Sequence, residues 1–294
     1  MSVLGIDIGG TGVKLGIVDD DHRVIEAVSV PTGDTADGLI ADIVRAATPL
    51  CEAHHPRAVG IGCAGRIHPP SGTVLRAGNL PFQNEPLAER IGAALSLPVK
   101  LENDANCAML AEMTAGACTD CRDALMVTLG TGVGGAIVID GKLYSGHNFR
   151  AGELGHFVID RNGPPCVCGL RGCFEHYASA TALIKLAAQA VAAHPDSKLA
   201  ALPALNGKTI FETAAAGCPV ASEVLAVYGE QLALGLNSFV KIFMPECIVL
   251  AGGIANAGDA LLALIAPHLL PEANVRISPL RGNAGILGAA ALWL

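Results

Sequence analysis

The chain has 294 residues, 51% of them hydrophobic and 16% charged, a balance that excludes a disordered chain and suits two domains of moderate size with separate cores. Its net charge of −8 and lack of a Lys/Arg block give no footprint for a phosphate backbone, so nucleic acid is a poor candidate partner. The opening MSVLGIDIGG has no basic region, and the apolar stretch ALLALIAPHLL is short and holds Pro267 and His268; no secretory signal, no membrane span and a cytoplasmic location are expected.

From Ser2 to Val30 the segments VLGIDIGG, VKLGIVDDD and RVIEAVSV alternate apolar runs with turn residues. This predicts three antiparallel strands, with the first turn built on Gly9 to Gly12. A helical stretch follows around Leu39 to His54, then a buried strand at AVGIGCAG, a Pro- and Gly-rich loop from Ile67 to Pro86, and a strand at PVKLEND. A helix is expected from about Ala105 to Ala117, with Asp104 at its N-cap. From Ala124 the strand grammar returns as ALMVTLG, TGVGGAIVIDG and KLYSG, which reads as one structural unit used twice. Helices over Ala180 to His194 and Ala221 to Phe243, the strand CIVLAGGI and a last helix in GILGAAALWL complete the chain. The expectation is an α/β protein with a first domain at 1–117, onto which a helix at about 282–294 packs back, and a second at 118–281.

GIGCAG at 60–65 and GTGVGG at 130–135 both satisfy G-x-G-x-x-G, yet the dinucleotide fingerprint needs a helix directly after the glycines. GTGVGG runs into the strand AIVID and GIGCAG into the loop RIHPPSG. A strand, glycine turn, strand arrangement can still bind phosphate, because successive unobstructed N–H groups form an anion-binding concavity. DIGGTG at 7–12 offers the same device with a carboxylate in front, a plausible Mg²⁺ partner. One such turn reads most simply as a tight hairpin, whereas two favour nucleotide binding.

The segment GELGHFVIDRNGPPCVCGLRGCFE at 152–175 gathers His156, Cys166, Cys168 and Cys173. Ten cysteines in a chain without a signal read as thiols and metal ligands rather than a disulfide framework. These four residues supply the nitrogen and sulfur donors of a closed tetrahedral site, for which zinc is the natural metal; buried free thiols are the competing reading. Cys118 and Cys121 read as a solvent-facing turn, and Cys51, Cys63, Cys107, Cys218 and Cys247 as small core residues.

DIGGT at 7–11, LGTGVGG at 129–135 and AGGI at 251–254 resemble the two phosphate segments and the adenosine segment of the sugar kinase, Hsp70 and actin superfamily. GELGH followed by CVCGLRGCFE resembles the signature of its ROK branch, which comprises bacterial sugar kinases and sugar-responsive repressors. The resemblance implies two ribonuclease H-like, actin-like ATPase lobes with ATP in a central cleft, and Mg²⁺-dependent phosphorylation of a hexose or hexose derivative at the 6-hydroxyl. It assigns ATP and Mg²⁺ to Asp7, Gly9, Gly10, Thr11, Gly130, Thr131, Gly132, Gly252 and Gly253. Sugar contacts fall to Asn79, Asn103, Asp104, Glu153, His156 and Glu175, and His156 doubles as a ligand of a structural zinc that braces the loop. A homodimer is implied as well.

Asp104, between a strand end and a helix N-terminus, is rigidly held, and the helix dipole is expected to keep it ionised; capping alone would explain it, but the resemblance makes it the catalytic base. Lys14 stays outside the catalytic set, since it also reads as an exposed lysine. The family's G-x-P-G pattern is GCAG here, with Ala64 where proline is usual, so the sugar stays open among glucose, N-acetylglucosamine, allose, mannose and β-glucosides. A sugar-sensing regulator is the alternative, disfavoured because DIGGT begins at residue 7 and leaves no space for a helix-turn-helix; a chaperone-like ATPase would not explain the glutamates grouped with the cysteines.

Overall fold

A computed structural model describes residues 2–294 and resolves them into two compact units, one comprising the chain up to Cys121 with Ile137–Ala151 and Pro279–Leu294, the other Arg122–Ala136 with Gly152–Ser278. The elements in the first part of the chain are β1 (Ser2–Ile8), β2 (Gly12–Asp19), β3 (Val24–Pro31), α1 (Ala36–His54), β4 (Val59–Cys63), β5 (Arg66–His68), β6 (Thr73–Arg76), β7 (Gln83–Glu85), α2 (Leu87–Leu95), β8 (Val99–Asn103) and α3 (Asp104–Ala115). They are followed by β9 (Ala124–Leu129), β10 (Val133–Ile139), β11 (Lys142–Leu143), α4 (Glu175–Ala178), α5 (Ala180–Ala193), α6 (Gly207–Ala215), α7 (Pro219–Phe243), β12 (Cys247–Ala251), α8 (Asp259–Ile265), β13 (Val275–Ile277) and α9 (Ala284–Ala291).

Two five-stranded sheets form, in the orders β3-β2-β1-β4-β8 and β11-β10-β9-β12-β13. The order is the same in both: a meander of three strands, then two further strands on the edge of the meander's first. In the first sheet β2 is antiparallel to β1 and β3, while β1, β4 and β8 run parallel. Such a mixed sheet buries its parallel centre, and Leu4, Ile6, Ile8, Val59, Ile61 and Leu101 are almost wholly enclosed. Each contributes about 1.5–3 kcal/mol through burial of its apolar surface.

Glycine sets the contact between the first sheet and α9. A Cβ at Gly60 would lie 1.7 Å from the Ala289 carbonyl oxygen, and one at Gly5 would lie 2.2 Å from that of Ile286. On the far side of the helix, a Cβ at Gly288 would lie 1.7 Å from the Cys107 carbonyl oxygen of α3. The backbones therefore meet without intervening side chains, and the Trp293 indole N–H donates to Val59 O at 2.7 Å. Gly288→Ala should lower stability by about 3 kcal/mol, because backbone on one side and helix on the other leave the methyl nowhere to go. Chemical denaturation of the variant checks this.

Three expectations need correcting in this part of the chain. The stretch read as a loop from Ile67 to Pro86 carries a three-stranded antiparallel sheet, β5-β6-β7, with Ile67, Val74 and Phe82 buried beneath it. Its strands are too short to show alternation among the prolines and glycines. The N-cap of α3 is Asn103, whose Oδ1 accepts from the Ala105 and Asn106 N–H groups at 2.9 and 3.2 Å; Asp104 is the first helical residue. Cys118 and Cys121 are buried, not solvent-facing. Gly116 permits this: a side chain there would collide with the Glu112 carboxylate, which curls over the helix end to accept from Ala117 N–H at 2.7 Å and draws the turn inward.

In the second unit α7 carries a long buried face that includes Tyr228, Leu232, Leu236 and Phe239. Phe157, Phe174 and Phe239 stack with centroids 4.9–5.8 Å apart, and the Phe174 ring sits where a side chain on Gly235 would be. This aromatic anchor fixes both ends of the cysteine segment against α7. No helix among the described residues is long and apolar enough to cross a membrane.

Candidate functional site

In the first unit the register of the parallel strands assembles a carboxylate pair. Asp7 of β1 lies opposite Gly62 of β4, and Gly62 opposite Glu102 of β8, so Asp7 and Asp104 stand at the ends of the two strands that flank β4, with the side-chain-free Gly62 between. A Cβ on Gly62 would come within 3.1 Å of Cys107 Sγ and 3.8 Å of Asp104 Cα. The carboxyl ends of parallel strands are the usual place for ligands in open α/β sheets.

Burial pushes the Asp7 carboxyl up to about 6, the Asp104 charge adds to the rise, and Lys14 opposes it. Lys14 is the cross-strand partner of Asp7, and its Nζ donates to Gly282 O at 2.9 Å. Burial also raises Asp104, against the backbone N–H groups of Ala105 and Asp104 itself and the Asn103 side chain. Desolvation is the largest influence on this carboxyl, and the N–H groups of the helix start oppose it. Asn103 is committed at both ends, its Oδ1 to the cap and its Nδ2 donating to Gly65 O at 3.2 Å.

The turn after Asp7 is tied by Gly9 N–H donating to Gly12 O at 3.1 Å and by Thr32 Oγ1 donating to Gly9 O at 2.7 Å. Gly10 and Thr11 are exposed at its tip, and Asn79 reaches it, since a Cβ on Gly10 would lie 3.1 Å from Asn79 Cβ. The first unit therefore brings together Asp7, Gly9, Gly10, Thr11, Asn79, Asn103 and Asp104.

In the second unit the turn Gly130–Gly132 abuts the N-terminus of α5. Ala180 N–H donates to Gly130 O at 2.8 Å, Thr181 Oγ1 donates to Thr131 O at 2.7 Å, and Ser179 caps the helix through Ala182 N–H at 3.1 Å. A glycine turn beside a helix N-terminus has the N–H groups and dipole direction that suit an anion. Gly252, at φ +89°, must be glycine because a Cβ would lie 2.7 Å from Leu129 O. Gly253 faces open space and lines a cavity of about 450 Å³ with Ile254 and Asn256 and with Gly207, Lys208 and Phe211 of α6. The α6 residues were missed in sequence; their available signal was the capping box of Asn206 and Thr209.

The cysteine segment folds on itself through Gly169 and Gly172, both at positive φ, and through Cys166 N–H donating to Leu170 O at 2.8 Å. His156 Nδ1 lies 3.5 Å from Cys166 Sγ, Cys168 Sγ lies 3.5 Å from Cys173 Sγ, and all four donor atoms lie within 4.8 Å of one another. Glu175 Oε1 is 3.6 Å from His156 Nδ1, while its Oε2 lies 2.7 Å from where a Gly132 Cβ would stand, so this carboxylate connects the cysteine cluster to the glycine turn. Glu153 is exposed at the start of the short turn that carries His156. His176, not singled out in sequence, has a buried Nε2 with no partner among the described residues.

Known proteins resemble this chain over its whole length. The model of the ROK family matches residues 3–294. A glucokinase of Streptomyces coelicolor is 35% identical over 98% of this chain and 96% of its own. The crystal structure of a ROK family glucokinase from Streptomyces griseus in complex with glucose and AMPPNP superposes with a TM-score of 0.84 at 35% identity, covering 99% of both chains. The ROK hexokinase from Thermus thermophilus gives 0.83 at 32% identity, with 99% of this chain and 97% of that one covered. A family model spanning nearly every residue, with relatives matched end to end, shows that this chain belongs to the ROK family.

Proposed function

We propose that the protein is an ATP-dependent sugar kinase that transfers the γ-phosphoryl group to the 6-hydroxyl of a hexose, with glucose the first candidate. Family membership and whole-length likeness to glucokinases support the activity. The observation that carries the site is the pair of half-buried strand-end carboxylates, Asp7 and Asp104, beside a glycine turn with exposed residues at its tip. Phosphoryl transfer asks the protein for alignment, charge neutralisation and an acceptor for the hydroxyl proton, which is what such a pair and turn can provide.

In this reading Asp104 accepts the proton of the sugar hydroxyl. Its desolvated carboxyl suits the role, because burial raises proton affinity toward the operating pH. Asn103 holds the strand end and the helix start in register, and Asn79, Glu153, His156 and Glu175 hydrogen-bond the sugar. The N–H groups around Gly9 to Thr11 and Gly130 to Gly132 bind phosphates, and the cavity beside Gly252 and Gly253 takes the adenosine. Mg²⁺ held by Asp7 with the nucleotide phosphates would neutralise developing charge.

His156, Cys166, Cys168 and Cys173 would hold a structural zinc. Their donor atoms stand about as far apart as the corners of a tetrahedron with Zn–S bonds of ~2.3 Å. Zinc would supply cross-linking energy on the order of 10 kcal/mol to an otherwise irregular loop. We read the two five-stranded sheets as the cores of two ribonuclease H-like lobes, a reading supported by their identical strand orders, and expect a homodimer, which sedimentation would test.

A coupled ADP-release assay over hexoses and amino sugars tests the activity: sugar-dependent turnover is expected, with glucose among the best substrates. Silence across the panel in zinc-replete protein that still binds sugar would replace a kinase by a sensor. For the metal, Cys168→Ser is expected to lower the zinc measured by elemental analysis and to weaken sugar binding about ten-fold or more, the effect usual when a metal's supporting shell is disturbed. Full activity in protein shown to be zinc-free would sink the bracing role.

A further inference from the structure

The first unit contains an open cavity of about 520 Å³, lined by Arg66, Leu75, Arg76, Gly78, Asn84 and Arg150. Three arginines line it and no acidic residue does. Among the described residues none of the three arginines makes a salt bridge or a side-chain hydrogen bond, whereas Arg90 on nearby α2 has two carboxylate partners.

All three arginines are exposed, so the concentrated positive charge is open to an anion from solution. Arg66 of β5 and Arg76 of β6 are directly opposed across the antiparallel pair, where like charges destabilise. The register of the pair shifts between Arg66 and Ile67. Arg150 comes from a distant segment, the loop after β11, and is held there at a cost. Phe149 beside it adopts φ +57°, a conformation bulky residues avoid, and its ring meets His68 of β5 edge-on at 5.2 Å. Asn84 on the cavity wall is also left-handed, at φ +50°.

We infer that Arg66, Arg76 and Arg150 form a binding site for a phosphate-class oxyanion, separate from the phosphate turns of the kinase site. Guanidinium pairs bind phosphate oxygens through bidentate charge-assisted hydrogen bonds, and three forks around one cavity match a phosphate dianion better than a carboxylate. The volume admits a phosphorylated small molecule. Gly78 on the wall precedes Asn79, so, resting on the kinase reading, the oxyanion comes either free from solution or as the ester of a phosphorylated hexose.

The test is calorimetric titration of the full chain, saturated with a non-hydrolysable ATP analogue so that the nucleotide turns are filled, against inorganic phosphate and then a hexose 6-phosphate. Saturable binding is expected, weakened about ten-fold or more by Arg76→Gln and separately by Arg150→Gln. Affinity for the sugar ester well above that for phosphate assigns the site to the ester; equal affinity assigns it to free phosphate. Because the opposed arginines repel, Arg76→Gln should also melt higher than the parent in anion-free buffer, a readout that separates lost binding from lost folding. Binding of both probes unchanged in the two variants, or matched by chloride at equal ionic strength, would overturn the inference while leaving the kinase reading untouched.

Discussion

Asp104→Asn is expected to lower the sugar-dependent turnover number by about 10²- to 10⁴-fold, the range seen when a positioned general base is removed, without lowering the melting temperature. The two halves of that result come from different features of one residue. Asn103, not Asp104, caps α3, so the helix start survives the substitution. The Asp104 carboxyl is raised chiefly by burial, so its ionised form is disfavoured where it stands and a neutral isostere removes a penalty. Asn103→Ala should behave in the opposite way, losing about 0.5–2 kcal/mol of stability with the cap, and losing turnover because Asp104 is then no longer held. ADP release and thermal melting of both variants decide the matter. A destabilised Asp104→Asn that keeps turnover would reduce Asp104 to a structural element.

Long periodic segments were legible in the sequence, and so was the duplicated strand grammar, because both rest on spacing that any register preserves. VLGIDIGG and ALMVTLG declare themselves as buried strands, and the structure puts each at the centre of a sheet with the same order. The sheet β5-β6-β7 was hidden because Ile67, Val74 and Phe82 are separated by turn residues and find their shared core only in three dimensions. The distinction between Asn103 and Asp104 at the helix start was equally hidden, since both residue types cap and only the backbone conformation of Asn103 chooses. For the site, glycine-rich turns and the cysteine spacing could be found by motif, but a carboxylate raised by its neighbour depends on strand order. Nothing local in DIGGT or LENDANC says that Asp7 and Asp104 stand one strand apart. The arginine cavity is the extreme case, uniting β5, β6 and a loop from beyond β11.

Asp7→Asn is expected to abolish most turnover, by about 10²-fold or more as for loss of transition-state charge stabilisation, since Asp7 would hold the cation that supplies it, and at the same time to raise the stability of the magnesium-free protein at neutral pH. Asp7 carries a folded-state value of about 6 against an ordinary 3.8, so between those two values the native state binds more protons than the unfolded chain. Stability therefore falls as pH rises through this window: the favourable contribution of the protonated carboxyl is complete below about 3.8 and gone above about 6. A shift of that size corresponds to about 2–3 kcal/mol, which the neutral asparagine should recover at pH 7. The gain should shrink toward zero as the pH is lowered to 4, where the parent's Asp7 is itself protonated. Added Mg²⁺ should stabilise the parent more than the variant, because a bound cation offsets the Asp7–Asp104 repulsion that the variant no longer has. Melting curves from pH 4 to 8 with and without Mg²⁺ would show this. An Asp7→Asn protein less stable than its parent at pH 7, or equally active at unchanged Mg²⁺ demand, would mean that the carboxylate pair is structural and the cation is held elsewhere.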